Sequence, residues 1–216
     1  MRDIYQQQLV DIIDELVDMT AAVRDLLRDA TRALIDADIA TAEAVISADQ
    51  RVDAMRERVE EESFEVLALQ APVAGDLRTL VASLRMVSDL ERMGDLAVHI
   101  AKVARLRYPT KAVPAEVEPT ITSMAATADR MIGDAAKVIA NRDVSAAESL
   151  EHADDAMDGY QRSLFRTLLD DSWSAGVEPA IDLALLGRYY ERIADHAVSM
   201  GRRVVYLVTG EHPSSV

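Results

Sequence analysis

Cysteine is absent from the chain, which excludes disulfides and thiolate metal sites and fits a reducing compartment. Aromatic residues are scarce at 4%, with two Phe and one Trp, while half of all residues are hydrophobic. A core of Leu, Val, Ile, Met and Ala suits close-packed helices better than strands, which favour β-branched and aromatic side chains. Neither Gly nor Pro occurs before Pro72, so the first third of the chain has no strong helix breaker. Long apolar runs are missing as well: Val204-Val205-Tyr206-Leu207-Val208 is far too short to cross a bilayer. The opening Met1-Arg2-Asp3-Ile4-Tyr5 lacks the apolar core of a signal peptide. A cytoplasmic location without membrane insertion is therefore expected. Positive charge is in deficit, and the formal net charge of −15 argues against a nucleic-acid partner, which needs a basic stripe to displace counterions. It favours cations and basic partner surfaces instead.

What is present is helical periodicity. Leu9, Ile12, Leu16, Met19, Val23, Leu26, Ala30 and Ala33 recur at steps of three and four, the seam of a helix packed along its length. The first helix then runs from about Asp3 to Asp36, roughly 50 Å at 1.5 Å per residue. Asp38 is placed to cap a second helix reaching about Leu69. Pro72 and Gly75 break the chain, and a third helix from Asp76 to Arg107 carries Leu77, Leu80, Leu84, Val87, Leu90, Ala97 and Ala101. Three long helices with short turns predict an antiparallel bundle. Tyr108 to Pro114 reads as a linker, and the plan then repeats over about 115–140, 144–169 (capped by Asp143) and 180–209. The expected organisation is all-α: two tandem pseudo-symmetric three-helix bundles over 1–107 and 115–210, a linker over 108–114 and a flexible tail over 211–216.

The repeat is visible residue by residue. Asp38-Ile39-Ala40-Thr41-Ala42-Glu43 returns as Asp143-Val144-Ser145-Ala146-Ala147-Glu148, and Glu91-Arg92-Met93-Gly94-Asp95 returns as Glu191-Arg192-Ile193-Ala194-Asp195. Within it, acids four apart recur at matched places: Asp49/Asp53 with Asp154/Asp158, and Glu91/Asp95 with Glu191/Asp195. Such pairs share one helix face and repel each other, which raises the question of what neutralises them. Hard oxygen ligands so spaced can hold Mg²⁺, Mn²⁺, Ca²⁺ or iron. Other pairs, such as Asp14/Asp18 and Asp25/Asp29, read as surface charge, and Glu151/Asp155 competes with Asp154/Asp158 for the register of the fifth helix. Arg92 and Arg192, next to each Glu, either orient the carboxylates, contact a partner or form ordinary bundle salt bridges. His99 and His196 are further candidate ligands, although a helical histidine beside carboxylates is more often a hydrogen-bond partner.

Enzyme signatures are missing. No acid lies three residues before a histidine, as in the Glu-x-x-His unit of di-iron bundles. There is no phosphate loop, no His-Glu-x-x-His and no nucleophile elbow. Met86, Met93, Met157 and Met200 sit in apolar stripes and read as core filler. Binding rather than catalysis is expected. A metal-handling or metal-dependent hydrolytic bundle is the alternative.

Asp89-Leu90-Glu91-Arg92-Met93-Gly94-Asp95 resembles the hallmark of the PhoU family, the accessory proteins of the phosphate-specific transport system. Tyr190-Glu191-Arg192-Ile193-Ala194-Asp195-His196-Ala197 resembles its second copy, and Leu67 to Arg78 the family's turn between helices 2 and 3. The likeness spans nearly the whole chain, and the abundance of Ala, Arg and Asp suggests an actinobacterial member. The resemblance implies a cytoplasmic, often dimeric regulator that restrains phosphate uptake and the phosphate-starvation response. Its implied partners are the ATPase subunit of the phosphate ABC transporter and a membrane sensor histidine kinase. It also implies that Asp49, Asp53, Glu91, Asp95, Asp154, Asp158, Glu191 and Asp195 bind multinuclear iron or zinc. Many relatives carry His after the Asp in both copies, whereas this chain has Leu96 in the first and His196 in the second. A difference in metal affinity or partner contacts between the halves is expected from that.

Overall fold

The computed structural model describes the backbone over residues 2–211 and side chains over 5–211; the expected tail beyond Glu211 lies outside the described residues. The elements are α1 (Arg2–Asp36), α2 (Ile39–Gln70), α3 (Ala74–Arg107), α4 (Glu118–Asn141), α5 (Val144–Leu168) and α6 (Val177–Thr209), with no strand among the described residues. They fold as two three-helix bundles, α1–α3 and α4–α6, and α1 and α3 of the first pack along α4 and α6 of the second.

Local chemistry sets the boundaries. The Asp38 carboxylate accepts from the backbone N–H groups of Ala40 (3.0 Å) and Thr41 (3.1 Å), and Asp143 accepts from Ala146 (3.0 Å), satisfying donors that a helix start leaves unpaired. α4 begins at Glu118, three residues later than its periodicity predicts, because Pro119 fits only a first turn. α6 begins earlier, at Val177, because Pro179 is tolerated within that turn. The α1 seam from Leu9 to Ala33 is buried throughout, as are Met86, Met93, Met157 and Met200. Leu77 departs from the expected core: it is exposed at the α2–α3 tip with Phe64, Leu69 and Val73. The α5–α6 tip is similar, with Phe165, Leu169, Val177 and Ile181 exposed around an apolar groove of about 420 Å³ that Trp173 also lines.

Small residues set how closely α5 and α6 approach. A methyl group on Gly201 would stand 3.0 Å from Leu150 Cδ1 and 3.3 Å from the Ala147 carbonyl oxygen, and one on Gly187 would stand 2.8 Å from Leu164 Cδ2. Both contacts are too tight for a side chain, so the glycines let α5 lie against the α6 backbone.

Polar bridges join the two bundles. Arg24 of α1 forks onto Asp129 of α4 through two 2.9 Å bonds, and Arg28 donates to the same carboxylate. α3 and α6 run antiparallel: Arg107 at the end of α3 holds Asp182 and Glu178 at the start of α6. Further along, buried Asp89 of α3 accepts from Arg203 Nε at 2.7 Å and lies 3.1 Å from His196 Nδ1. Thr31 of α1 shares a 2.9 Å hydrogen bond with the fully buried Tyr190 hydroxyl of α6. At buried Asp89 the bond from Arg203 is charge-assisted, and such a bond contributes about 1.5–3 kcal/mol when solvent is excluded. Replacing Asp129 by Ala strands two arginines, and a loss of about 1–3 kcal/mol in urea unfolding is expected, the lower end reflecting partial exposure. A change within about 0.5 kcal/mol contradicts a bridging role.

Candidate carboxylate centres on the two bundles

Seven of the eight acids singled out by the repeat lie in two groups, and Glu91, the eighth, stands beside Arg92. Asp49 and Asp53 of α2 face Asp95 of α3, and Asp154 and Asp158 of α5 face Glu191 and Asp195 of α6, as the mutual repulsion of their charges shows. Glu151 and Asp155, the competing pair, are exposed, and Glu151 is bound by Arg202 at 2.8 Å. The register of α5 therefore turns Asp154 and Asp158 inward.

Electrostatics separates the two groups. Burial raises the Asp49 carboxyl above its ordinary value, and Asp53 and Asp95 raise it further, while Lys102 and His99 pull it back. Asp154 has no such relief. Burial first, then Asp195, Asp158, Glu191 and Asp155, push it up to about 6, and its Oδ1 is buried with no hydrogen bond among the described residues. Glu191 is raised by burial and by Asp195, against the opposing pull of its ion pair with Arg188. The donors are hard carboxylate oxygens, and Asp154, whose Oδ1 is buried without a hydrogen-bond partner among the described residues, feels the charge of further carboxylates, so the α5–α6 set fits a divalent cation or iron by chemistry. As the side chains stand, no three His, Asp or Glu among the described residues are grouped closely enough to hold one ion.

The auxiliary residues divide. Arg92 lies 3.4 Å from Asp95 and 3.7 Å from Glu91, an exposed bridge. Arg192 makes no ion pair or hydrogen bond among the described residues, and Arg188 occupies Glu191 in its place. His196 turns its Nδ1 to Asp89 on α3, so the histidine that the first copy lacks serves the contact between bundles. His99 stacks on Tyr189 with ring centroids 5.4 Å apart. Sequence periodicity gives no sign of the roles of Arg203, Lys102 or Arg188. Asp89 belongs to the motif Asp89-Leu90-Glu91-Arg92, and its unusual position on a buried stripe was the available signal.

The raised Asp154 carboxyl has a pH consequence. Below about pH 4 both folded and unfolded chains hold that proton; between there and about pH 6 the folded chain holds more, so stability falls as pH rises. Above that window the penalty is constant, about 1–2 kcal/mol after allowance for partial exposure. In the presence of chelator, Asp154→Asn is expected to stabilise the protein by that amount at pH 7.5 and negligibly at pH 4. Equal effects at both pH values in urea unfolding contradict the shift.

The family model described as the PhoU domain matches residues 16–104 and 121–204. The phosphate-specific transport system accessory protein PhoU homolog 1 of Mycobacterium tuberculosis is 45% identical over 214 residues, covering 99% of this chain and 97% of that protein. Homolog 2 of the same organism is 43% identical, covering 99% and 100%. Among solved structures, the phosphate transport system regulatory protein PhoU of Streptococcus pneumoniae superposes with a TM-score of 0.88 at 25% identity, covering 98% of this chain and 100% of that one. PhoU of Pseudomonas aeruginosa superposes with a TM-score of 0.84 at 28% identity, covering 96% and 100%. With its duplicated acidic motif, its six-helix architecture and likeness along nearly its full length, the chain belongs to the PhoU family.

Proposed function

We propose that this chain is a regulatory adaptor, not an enzyme, that restrains phosphate uptake and phosphate-starvation signalling when phosphate is plentiful. It would act in the cytoplasm, as a homodimer, between the ATPase subunit of the phosphate transporter and a sensor histidine kinase. The observation that carries this reading is the end-to-end likeness to proteins named as accessory or regulatory components of phosphate transport. The distribution of apolar surface supports it. Leu169 and Val177 are 82% and 76% exposed at one tip, and Leu69 and Val73 are 68% and 74% exposed at the other. Apolar side chains concentrated at two tips favour protein contacts. No helix among the described residues is long and apolar enough to cross a membrane, so in this reading the link to the transporter runs through its ATPase subunit.

Metal is the second part of the proposal. Asp154, Asp158, Glu191 and Asp195 would hold one centre, and Asp49, Asp53, Glu91 and Asp95 the other. Iron or zinc is favoured, with Mg²⁺ or Mn²⁺ also suited to the oxygen donors. A bound cation would add positive charge beside that of Arg92, Arg188 and Lys102 and fix the helix faces that a partner meets. The α2–α3 centre already has Lys102 and His99 nearby, so the α5–α6 centre is expected to bind more tightly.

A strain lacking this protein and any paralogue is expected to express phosphate-uptake genes in phosphate-rich medium; normal repression there overturns the adaptor reading. Replacing Glu91, Asp95, Glu191 and Asp195 together by Ala is expected to abolish metal retention, measured by elemental analysis after loading and desalting. Retention equal to wild type removes the metal centres and leaves the adaptor reading standing.

A further inference from the structure

The two copies of the acidic motif also contribute to one groove between them. Where α3 and α6 cross, a groove of about 610 Å³ is lined by Arg92, Asp95, Leu96 and His99 from one helix and Arg188, Tyr189, Arg192 and His196 from the other. Arg92 and Arg192 are equivalent positions of the repeat, so the groove receives the same guanidinium from each half. In a protein of net charge −15, three arginines and two histidines meet there with one lining carboxylate, Asp95.

The availability of those arginines matters more than their number. Arg192 makes no ion pair or hydrogen bond among the described residues. Arg92 is held only at 3.4 Å from Asp95 and 3.7 Å from Glu91, with its side chain 65% exposed. Exposed pairs of that length are weak against solvent, so Arg92 can turn to a stronger acceptor. Arg188 is committed to Glu191 but is also half-exposed on the groove. The wall is stiffened by the His99–Tyr189 stack and by His196, whose Nδ1 is tied to Asp89. Three further carboxylates stand behind the lining: Glu91 at 3.7 Å from Arg92, Glu191 paired with Arg188, and Asp89 at 3.1 Å from His196 Nδ1; those more than about 10 Å away are screened at ordinary ionic strength.

We propose that the α3–α6 groove binds a phosphate-class oxyanion between Arg92 and Arg192, with Arg188 as a third contact. A guanidinium presents two parallel N–H donors to a tetrahedral oxyanion, and two such forks from opposite walls favour a multiply charged ligand over a monocarboxylate. The groove's size admits a free phosphate ion or the phosphoryl end of a nucleotide. Neither partner proteins nor metal are required for this binding, so its failure leaves the regulatory reading untouched.

The test is calorimetric titration of the full chain, freed of metal by chelator, with inorganic phosphate in one arm and metal-free ATP in the other. Saturable binding at one site per chain is expected in at least one arm. Phosphate binding identifies the free ion as sufficient; ATP binding alone assigns the groove to a nucleotide phosphoryl group. Arg92→Ala and Arg192→Ala are each expected to weaken binding at least tenfold, and Arg192→Lys less. Arg166→Ala, exposed on α5 away from the groove, is expected to leave it unchanged. Circular dichroism checks that each variant keeps its helices. No saturation in either arm by about 10 mM ligand, or equal affinity in wild type, Arg92→Ala and Arg192→Ala, overturns the proposal.

Discussion

Carboxylates facing carboxylates across a closely packed helix pair are the constraint around which this molecule is arranged. Gly187 and Gly201 bring α5 against the α6 backbone, and the same contact turns Asp154 and Asp158 toward Glu191 and Asp195. Burial strengthens the repulsion, since a half-buried charge loses hydration while its neighbours are less screened. A helix bundle has no need of such an arrangement for its own stability; its core of Leu, Val, Met and Ala is complete without it. At low pH a proton neutralises Asp154; near neutrality the proposed cation would do so.

Duplication produced two such faces, and their surroundings have diverged. On the first, Lys102 and His99 relieve Asp49. On the second, Arg202 is drawn away to exposed Glu151, and Asp154 is left among acids alone. The replacement of His by Leu96 in the first copy has a different meaning from the one its place in the motif suggests. His196 looks across to Asp89 on α3, beside Arg203, so it helps lock the bundles together. Any asymmetry in cation affinity would then arise from Lys102 and His99 rather than from the Leu/His difference.

The helices and their packing faces could be read from the chain because periodicity and capping are local signals. The α1 seam, the Asp38 and Asp143 caps and the methionine stripes all came from spacing alone. The late start of α4 is also legible, since Pro119 is tolerated only in a helix's first turn, although the apolar period runs past it. The bridges between bundles were hidden for a different reason. Asp129 meets Arg24, Asp182 meets Arg107 and Asp89 meets Arg203 across long stretches of sequence, and no period marks a pair formed by tertiary packing. Spacing alone leaves the register of α5 open between Asp154/Asp158 and Glu151/Asp155, and the packing of α6 against α5 decides it.

Thermal unfolding of the chelator-treated protein, with and without added Mn²⁺ or Zn²⁺ at pH 5 and at pH 7.5, tests the account most directly. Asp154 keeps its proton below about pH 6 and is charged above it. The cation should therefore raise Tm clearly at pH 7.5, by the equivalent of about 2–3 kcal/mol when its concentration is a hundredfold above its dissociation constant, and much less at pH 5. A Tm that does not move with cation, or that moves equally at both pH values, would contradict the claim that the facing carboxylates are a cation site.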